Sequence, residues 1–366
     1  MQLTLTRQKT PDALVGLDIE AGSIAATEVA VNGSARLKAA AVEPLAAEAF
    51  NEGEISDPDA LCEALKDLFS KNKLSKRVRI GLGNQGVVVR TVRLPAIEDP
   101  KELSAAIRFQ AQEEMPMPLD QAVLEHQVVG GTVGEDGASP QIDVVVVAAR
   151  REMVTSFLAP LRRAGLEPVG VDLSAFGMIR ALAGVANGQA EAGADGAVGQ
   201  VPAGAVLYCS VGDITNLAVA RGRACLFTRV SHVGLEPVAA RLAAARGLSH
   251  EHAAQWLAYV GLQAPVESLE GDHGLLVAAR DALEVGVTAL ADELRLSLDY
   301  YRAQEGAVTV ERVLLCGLGG AIPGLATRLE GGLGLPIASA IPPALAGLDP
   351  TQAARLTLPY GLALED

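Results

Sequence analysis

The chain has 366 residues, with 30 Lys+Arg against 44 Asp+Glu and a formal charge of −14. At roughly 100–200 residues per domain this makes two or three globular units. A 49% hydrophobic content excludes wholesale disorder. The negative charge opposes a polyanion, and 6 Phe, 5 Tyr and 1 Trp offer few rings for bases to stack on, so nucleic-acid binding is excluded as a main function.

A membrane-spanning helix needs about 20 apolar residues. The longest strongly apolar run, residues 144–149, has the length and β-branching of a strand, so direct membrane insertion is not expected. Residues 1–11 lack the long apolar stretch of a signal peptide. Cys62, Cys209, Cys225 and Cys316 show no CxxC spacing and suit small buried residues in a reducing, cytosolic compartment.

Residues 14–18 and 24–31 read as two strands joined by a tight turn through Gly22 and Ser23. Residues 57–71 read as an amphipathic helix with Asp57 as N-cap, Pro58 at its first position, and Leu61, Leu65, Leu68 and Phe69 on one face. A second hairpin is expected from 78–80 to 87–90, ending at Pro95. A charged helix over 100–114 follows, then strands at 123–129 and 142–149 around a Gly-rich turn at 130–140, and a helix at 151–164 closed by Gly165. A strand leading into a helix occupies 169–184. The stretch 187–204, rich in Gly and Ala, reads as a flexible linker. Beyond it come strands over 205–209, 214–220 and 225–229 and helices near 235–246, 249–258 and 274–302. A strand at 313–316 runs into Gly317-Leu318-Gly319-Gly320 and a helix at 322–330. Strands alternating with helices make the fold class α/β.

Gly81-Leu82-Gly83-Asn84-Gln85-Gly86 matches GxGxxG, but Val87-Val88-Val89 continues as strand. A dinucleotide site needs a helix N-terminus aimed at the pyrophosphate, so the match reads as a loop between strands. The five histidines have no partners at ligand spacing, so no metal site is expected, and no nucleophile motif marks a catalytic residue. More informative are the hairpins at 15–31 and 206–220. Each has small or hydroxyl residues in its turn, able to present backbone N–H groups to an anion. With the Gly-rich strand-to-helix turn at 317–320, they form a set that would clasp phosphates and pass an adenosine.

This set, in this order, resembles the type IV pilus assembly PilM family, within the actin-like ATPase superfamily and close in architecture to FtsA. The resemblance runs from about residue 12 to 366. It is carried by Gly16-Leu17-Asp18-Ile19, Arg90-Thr91-Val92-Arg93-Leu94-Pro95, Glu113-Glu114-Met115-Pro116, Thr215-Asn216-Leu217-Ala218-Val219, Phe227-Thr228-Arg229, the stretch 293–301 and Gly361-Leu362-Ala363-Leu364. It implies an actin-like, duplicated ribonuclease-H-like, two-lobed α/β fold with an inserted small α+β subdomain. The first lobe takes residues 12–95 and 168–186, with 341–366 returning to it. The insertion takes 96–167, the linker 187–204 and the second lobe 205–340.

The resemblance further implies a cytoplasmic scaffold, peripheral to the inner membrane through a partner. That partner is the short cytoplasmic N-terminal tail of a PilN-like membrane protein, alongside other pilus platform proteins. The tail's groove lies between the insertion and the first lobe, with Ile107, Phe109, Met115 and Met117 as wall residues; Met adapts well to apolar ligands. Cofactor-binding positions implied for ATP and Mg²⁺ are Asp18, Gly22, Ser23, Gly212, Asp213, Thr215, Asn216, Gly317, Gly319 and Gly320.

Several positions depart from the family pattern. Glu20 stands for a Gly, Ala25 for a Lys, Cys209 for the Asp of the metal–phosphate shell, and Leu318 for a Gly of the adenosine loop. Ala254 and Leu257 fall where a Glu and a Lys reach the ribose or adenine. Glu20 beside a polyphosphate costs about 1–4 kcal/mol at 4 Å, and a thiol replaces a hard oxygen ligand poorly. The expectation is a degenerate cleft that binds ATP weakly or not at all. The alternatives are an active FtsA-like ATPase whose nucleotide state regulates assembly, or a kinase relative with Asp172 as base rather than helix cap. An FtsA-like membrane helix is not expected after residue 364, because no basic amphipathic tail is present.

Overall fold

The computed structural model describes residues 13–32, 34–132, 140–186, 204–304 and 306–364. The linker expected over 187–204 lies, apart from Gly204, outside them, as does most of the turn expected over 130–140.

β1 (Ala13–Glu20), β2 (Ser23–Asn32) and β3 (Ser34–Pro44) form an antiparallel meander. A short ribbon, β4 (Phe50–Asn51) and β5 (Glu54–Ile55), leads to α1 (Pro58–Asn72). The Asp57 carboxylate accepts the N–H groups of Asp59 and Ala60 at 2.9 and 3.0 Å, so the helix starts where the Asp-Pro pair predicts. The same Asp-Pro device opens α2 and α10 below. β6 (Arg77–Leu82) then joins β1 in parallel.

β7 (Val87–Pro95), α2 (Pro100–Glu114), β8 (Ala122–Thr132) and β9 (Gln141–Arg150) build a separate three-stranded sheet in the order β7-β9-β8 with one helix. The hairpin expected between 78–80 and 87–90 does not form. β6 has both edges taken, by β1 and by a strand described next, so β7 pairs along its whole length with β9 instead. The GxGxxG segment is accordingly a crossing loop, with no helix after it. α3 (Arg151–Arg163) buries Phe157 and Leu161 in the first lobe's core, and β10 (Glu167–Leu173) and α4 (Ser174–Ala186) complete that lobe. These contacts put β7 with the inserted unit and α3 with the first lobe, where the residue pattern drew the unit's limits at 96 and 167.

The second lobe repeats the plan: β11 (Ala205–Val211), β12 (Thr215–Arg221) and β13 (Ala224–Ser231), then α5 (Glu236–Arg246), α6 (His250–Val260) and the long α7 (His273–Arg302). β14 (Val310–Cys316), α8 (Gly317–Ala321), α9 (Leu325–Leu333) and β15 (Ile337–Ser339) close it. The first sheet runs β10-β6-β1-β2-β3 and the second β13-β12-β11-β14-β15. In both, a three-strand antiparallel meander is extended by two parallel strands beside its first member. The fold is thus duplicated, with an insertion in the first copy.

α10 (Pro350–Ala363) returns to the first lobe, burying Ala353, Leu356, Leu358 and Ala363 against it. It crosses β1 and α4 so closely that a Cβ on Gly16 would sit 1.9 Å from the Pro359 carbonyl oxygen, and one on Gly361 1.7 Å from that of Gly177. Only glycine allows backbones to meet at this distance. Among the described residues, no helix is long and apolar enough to cross a membrane. All four cysteines are buried and free.

Candidate functional site

Two hairpin turns face each other between the lobes. In the first, Glu20 pairs with Ser23, leaving Ala21 and Gly22 as a two-residue turn in which Gly22 takes φ +84°. In the second, the Asp213 carboxylate accepts its neighbour Ile214's N–H at 2.7 Å, and Leu235, just before α5, donates its N–H to the Gly212 carbonyl at 2.8 Å. The turns meet directly, because the Ala21 N–H donates to Asp213 Oδ2 at 2.8 Å across the cleft. Glu20 Oε1 lies so near that a Cβ on Gly212 would be 2.2 Å from it. From α10, Arg355 donates to the Ser23 hydroxyl.

Above the turns opens a cavity of ≈ 670 Å³. Its acidic end carries Glu20, Asp213 and Glu236; its walls are largely apolar, with Leu235, Ala239, Ala254, Leu257, Leu318 and Ile322. Burial pushes the Asp18 carboxyl well up, and repulsion from Glu20 and then Asp213 adds to it. Burial and the Asp213 charge push Glu20 up to about 7, against the pull of Arg355. Asp213 is raised by burial and held back by the Ala21 and Ile214 N–H groups. Three carboxyl groups, Asp18, Glu20 and Asp213, therefore crowd the meeting point of the two turns.

Of the ten cofactor-binding positions, Gly22, Ser23, Gly212 and Asp213 line this cavity. Asp18 is buried beneath the turn. The Thr215 hydroxyl is spent on the Val233 carbonyl, and Asn216 faces Gly83 of the first lobe and a different cavity. Gly317, Gly319 and Gly320 back onto Ser210, Val211 and the Leu315 carbonyl, which leaves Leu318 as the residue that the loop turns inward. Glu20, Ala254, Leu257 and Leu318, all departures from the family pattern, line the cavity, whereas Ala25 and Cys209 are buried in the cores of the first and second lobe. Among the described residues no group of three His, Cys, Asp or Glu could hold a metal ion. The Ala21 N–H of the first turn is taken by the Asp213 carboxylate of the second.

Sequence reading missed Arg355. Its signal was faint: a single basic residue between the buried Ala354 and Leu356 of a C-terminal helix. Asp172, considered as a base, instead pairs with Arg180, which also donates to the Gly361 carbonyl at 3.0 Å.

The four residues proposed for a partner groove separate. Ile107 and Met115 lie in the inserted unit's core with Ala111, while Phe109 is 67% exposed and Met117 packs at the core's edge. Residues 107, 111 and 115 recur at four-residue spacing on one helix face and cover the sheet; Phe109, two residues on, points away. Where the unit, the first lobe and the second lobe meet runs a cavity of ≈ 690 Å³, lined by Glu125, Val128, Val145 and Val147 from β8 and β9, by Phe176, Ile179 and Arg180 from α4, and by Arg223 and Cys225 of the second lobe. Met117 borders a different cavity, between residues 116–121 and α3.

The model of the family described as "Type IV pilus assembly protein PilM" matches residues 16–348. The chain belongs to the PilM family. The structure titled "PilM-PilN type IV pilus biogenesis complex" is similar at 26% identity and a TM-score of 0.74, over 96% of this chain and 97% of that one. Ethanolamine utilization protein EutJ from Carboxydothermus hydrogenoformans gives 13% identity and a TM-score of 0.54 over 96% and 89% of the two chains. MreB5 of Spiroplasma citri bound to ADP gives 12% and 0.53 over 96% and 95%. The last two likenesses concern the fold, which is the actin-like one expected for a PilM-family protein.

Proposed function

We propose that this PilM-family chain is a scaffold of a type IV pilus, or related, inner-membrane assembly platform. In this reading it holds the N-terminal cytoplasmic tail of a PilN-like membrane protein, its cleft does not hydrolyse ATP, and it reaches the membrane through that partner. The observation that carries the reading is the Asp213 carboxylate seated on the Ala21 N–H, with Glu20 and Asp18 beside it, where a phosphate would need donors. The similar PilM–PilN complex supports the choice of partner. The cavity between β8, β9 and α4 suits an extended peptide, since β8 is the edge strand of its sheet and the walls set valines beside charged groups, Glu125, Asp172, Arg180 and Arg223.

Two measurements test this. A labelled peptide of the partner's tail, followed by fluorescence anisotropy, is expected to bind at least about tenfold more weakly to Val128→Asp and unchanged to Phe109→Asp; the reverse order overturns the groove. Equilibrium binding of labelled ATP with Mg²⁺ is expected to give no saturation at micromolar concentration. Sub-micromolar affinity with steady turnover would sink the scaffold reading. One observation favours the ATPase alternative: Glu20, at about 7, titrates where a general base works well. If it acts so, Glu20→Gln abolishes a measurable turnover; the scaffold reading expects none to abolish.

A further inference from the structure

The lobes of this molecule already make the contact that a bound phosphate would make for them. A phosphate-binding hairpin offers backbone N–H groups to an anion. Here the anion is covalently part of the opposite lobe, since Ala21 and Asp213 lie 192 residues apart in sequence. Both partners are held. The first turn is fixed by the Leu45 N–H to the Gly22 carbonyl at 3.0 Å and by Arg355 on Ser23. The second is fixed by the Ile214 and Leu235 N–H bonds and by Gly234, where a Cβ would lie 2.1 Å from the Asp213 carbonyl oxygen. On the other side of the cleft, Asn216 of the second lobe lies against Gly83 of the first, with room for no Cβ. The apolar core of the first lobe also runs through to Tyr208 and Ala218 of the second.

We infer that Asp213 is a built-in phosphate substitute, a clasp that keeps the two hairpins together without nucleotide. The inference rests on the reading that the cleft does not hold ATP. A charge-assisted bond between two rigid turns needs no ligand to form. It therefore sets closure of the cleft at a constant level, where a nucleotide would make closure depend on hydrolysis. A scaffold with this clasp holds its partner the same way at every ATP concentration.

Amide hydrogen exchange on the full chain tests the clasp. In the unaltered protein without nucleotide, the Ala21 amide is expected to be protected despite its place in a turn. Asp213→Ala is expected to speed its exchange about ten- to a hundredfold, as loss of a bond to a charged acceptor implies. Asp213→Asn, which keeps the shape but loses one acceptor oxygen, is expected to fall between. Glu20→Gln leaves the bond in place and is expected to leave Ala21 protected. Ala21 exchanging at the rate of an open turn in the unaltered protein overturns the clasp, as does a folded Asp213→Asn with unchanged protection. A separate arm adds ATP with Mg²⁺ to the unaltered protein. No change in exchange or in small-angle scattering supports closure without nucleotide. Further protection of Ala21 together with a changed scattering profile overturns the reading beneath the proposal, and with it the claim of nucleotide-independent closure.

Discussion

Replacing Glu20 with Gln removes one charge from the crowded end of the cleft while keeping the side chain's shape. The carboxyl is pushed up to about 7 in the folded protein, from an ordinary value of 4.5, by burial and by Asp213. Between those values the folded chain holds a proton that the unfolded chain releases, so stability is full below about 4.5 and falls as pH rises through 7. A shift of that size corresponds to at most about 3 kcal/mol. A neutral Gln does not incur this loss, so the variant is expected to match the parent at pH 4.5–5 and to gain up to about 3 kcal/mol at pH 8. With about 2.1 cal/mol/K of unfolding entropy per residue, a chain of this length gains ~4 °C in Tm. Thermal unfolding of both proteins at pH 5 and pH 8 decides it. An equal gain at both values, or a loss at pH 8, would refute the argument that burial and Asp213 raise the Glu20 carboxyl.

Two further outcomes follow from buried groups. Arg180→Ala strands Asp172 beneath β8, β9 and α4 and removes a donor to the Gly361 carbonyl; it is expected to cost about 3–5 kcal/mol, read from the urea midpoint. A loss under about 1 kcal/mol would mean the pair is dispensable. All four thiols are buried, with Cys225 and Cys316 pushed up to about 12, so a thiol reagent at pH 8 is expected to label none in the folded protein and four in urea. Rapid labelling of one without denaturant would contradict the burial.

Local chemistry made most of the fold legible. Asp57-Pro58 marked a helix start that the structure keeps, α2 occupies residues 100–114 as expected, and the two meander turns fall at Gly22 and at Gly212-Asp213. What sequence could not give was which strand lies beside which. β6 and β7 look like a hairpin because only a loop separates them, but pairing is decided by which edges are free, and both edges of β6 are taken. The site was legible as a place more than as a set of contacts. Gly22, Ser23, Gly212 and Asp213 line it, while Thr215, Asn216 and the glycines at 317, 319 and 320 point elsewhere. The bond from Ala21 to Asp213 and the reach of Arg355 to Ser23 join residues 192 and 332 positions apart, beyond any local pattern.

α10 gives the first lobe an unusual history. Its strand β1 leaves the ribosome long before the helix that covers it. Until Ala353 to Ala363 emerge, Gly16 and Gly177 face an open groove and the lobe's apolar floor stays uncovered. The second lobe, continuous from β11 to β15, can close on itself before then. Pairings of such sequence separation are slow to form. The first lobe, begun before the second, is therefore completed after it, and the same helix brings Arg355 to Ser23, so the cleft acquires this cation only when that closing step is done.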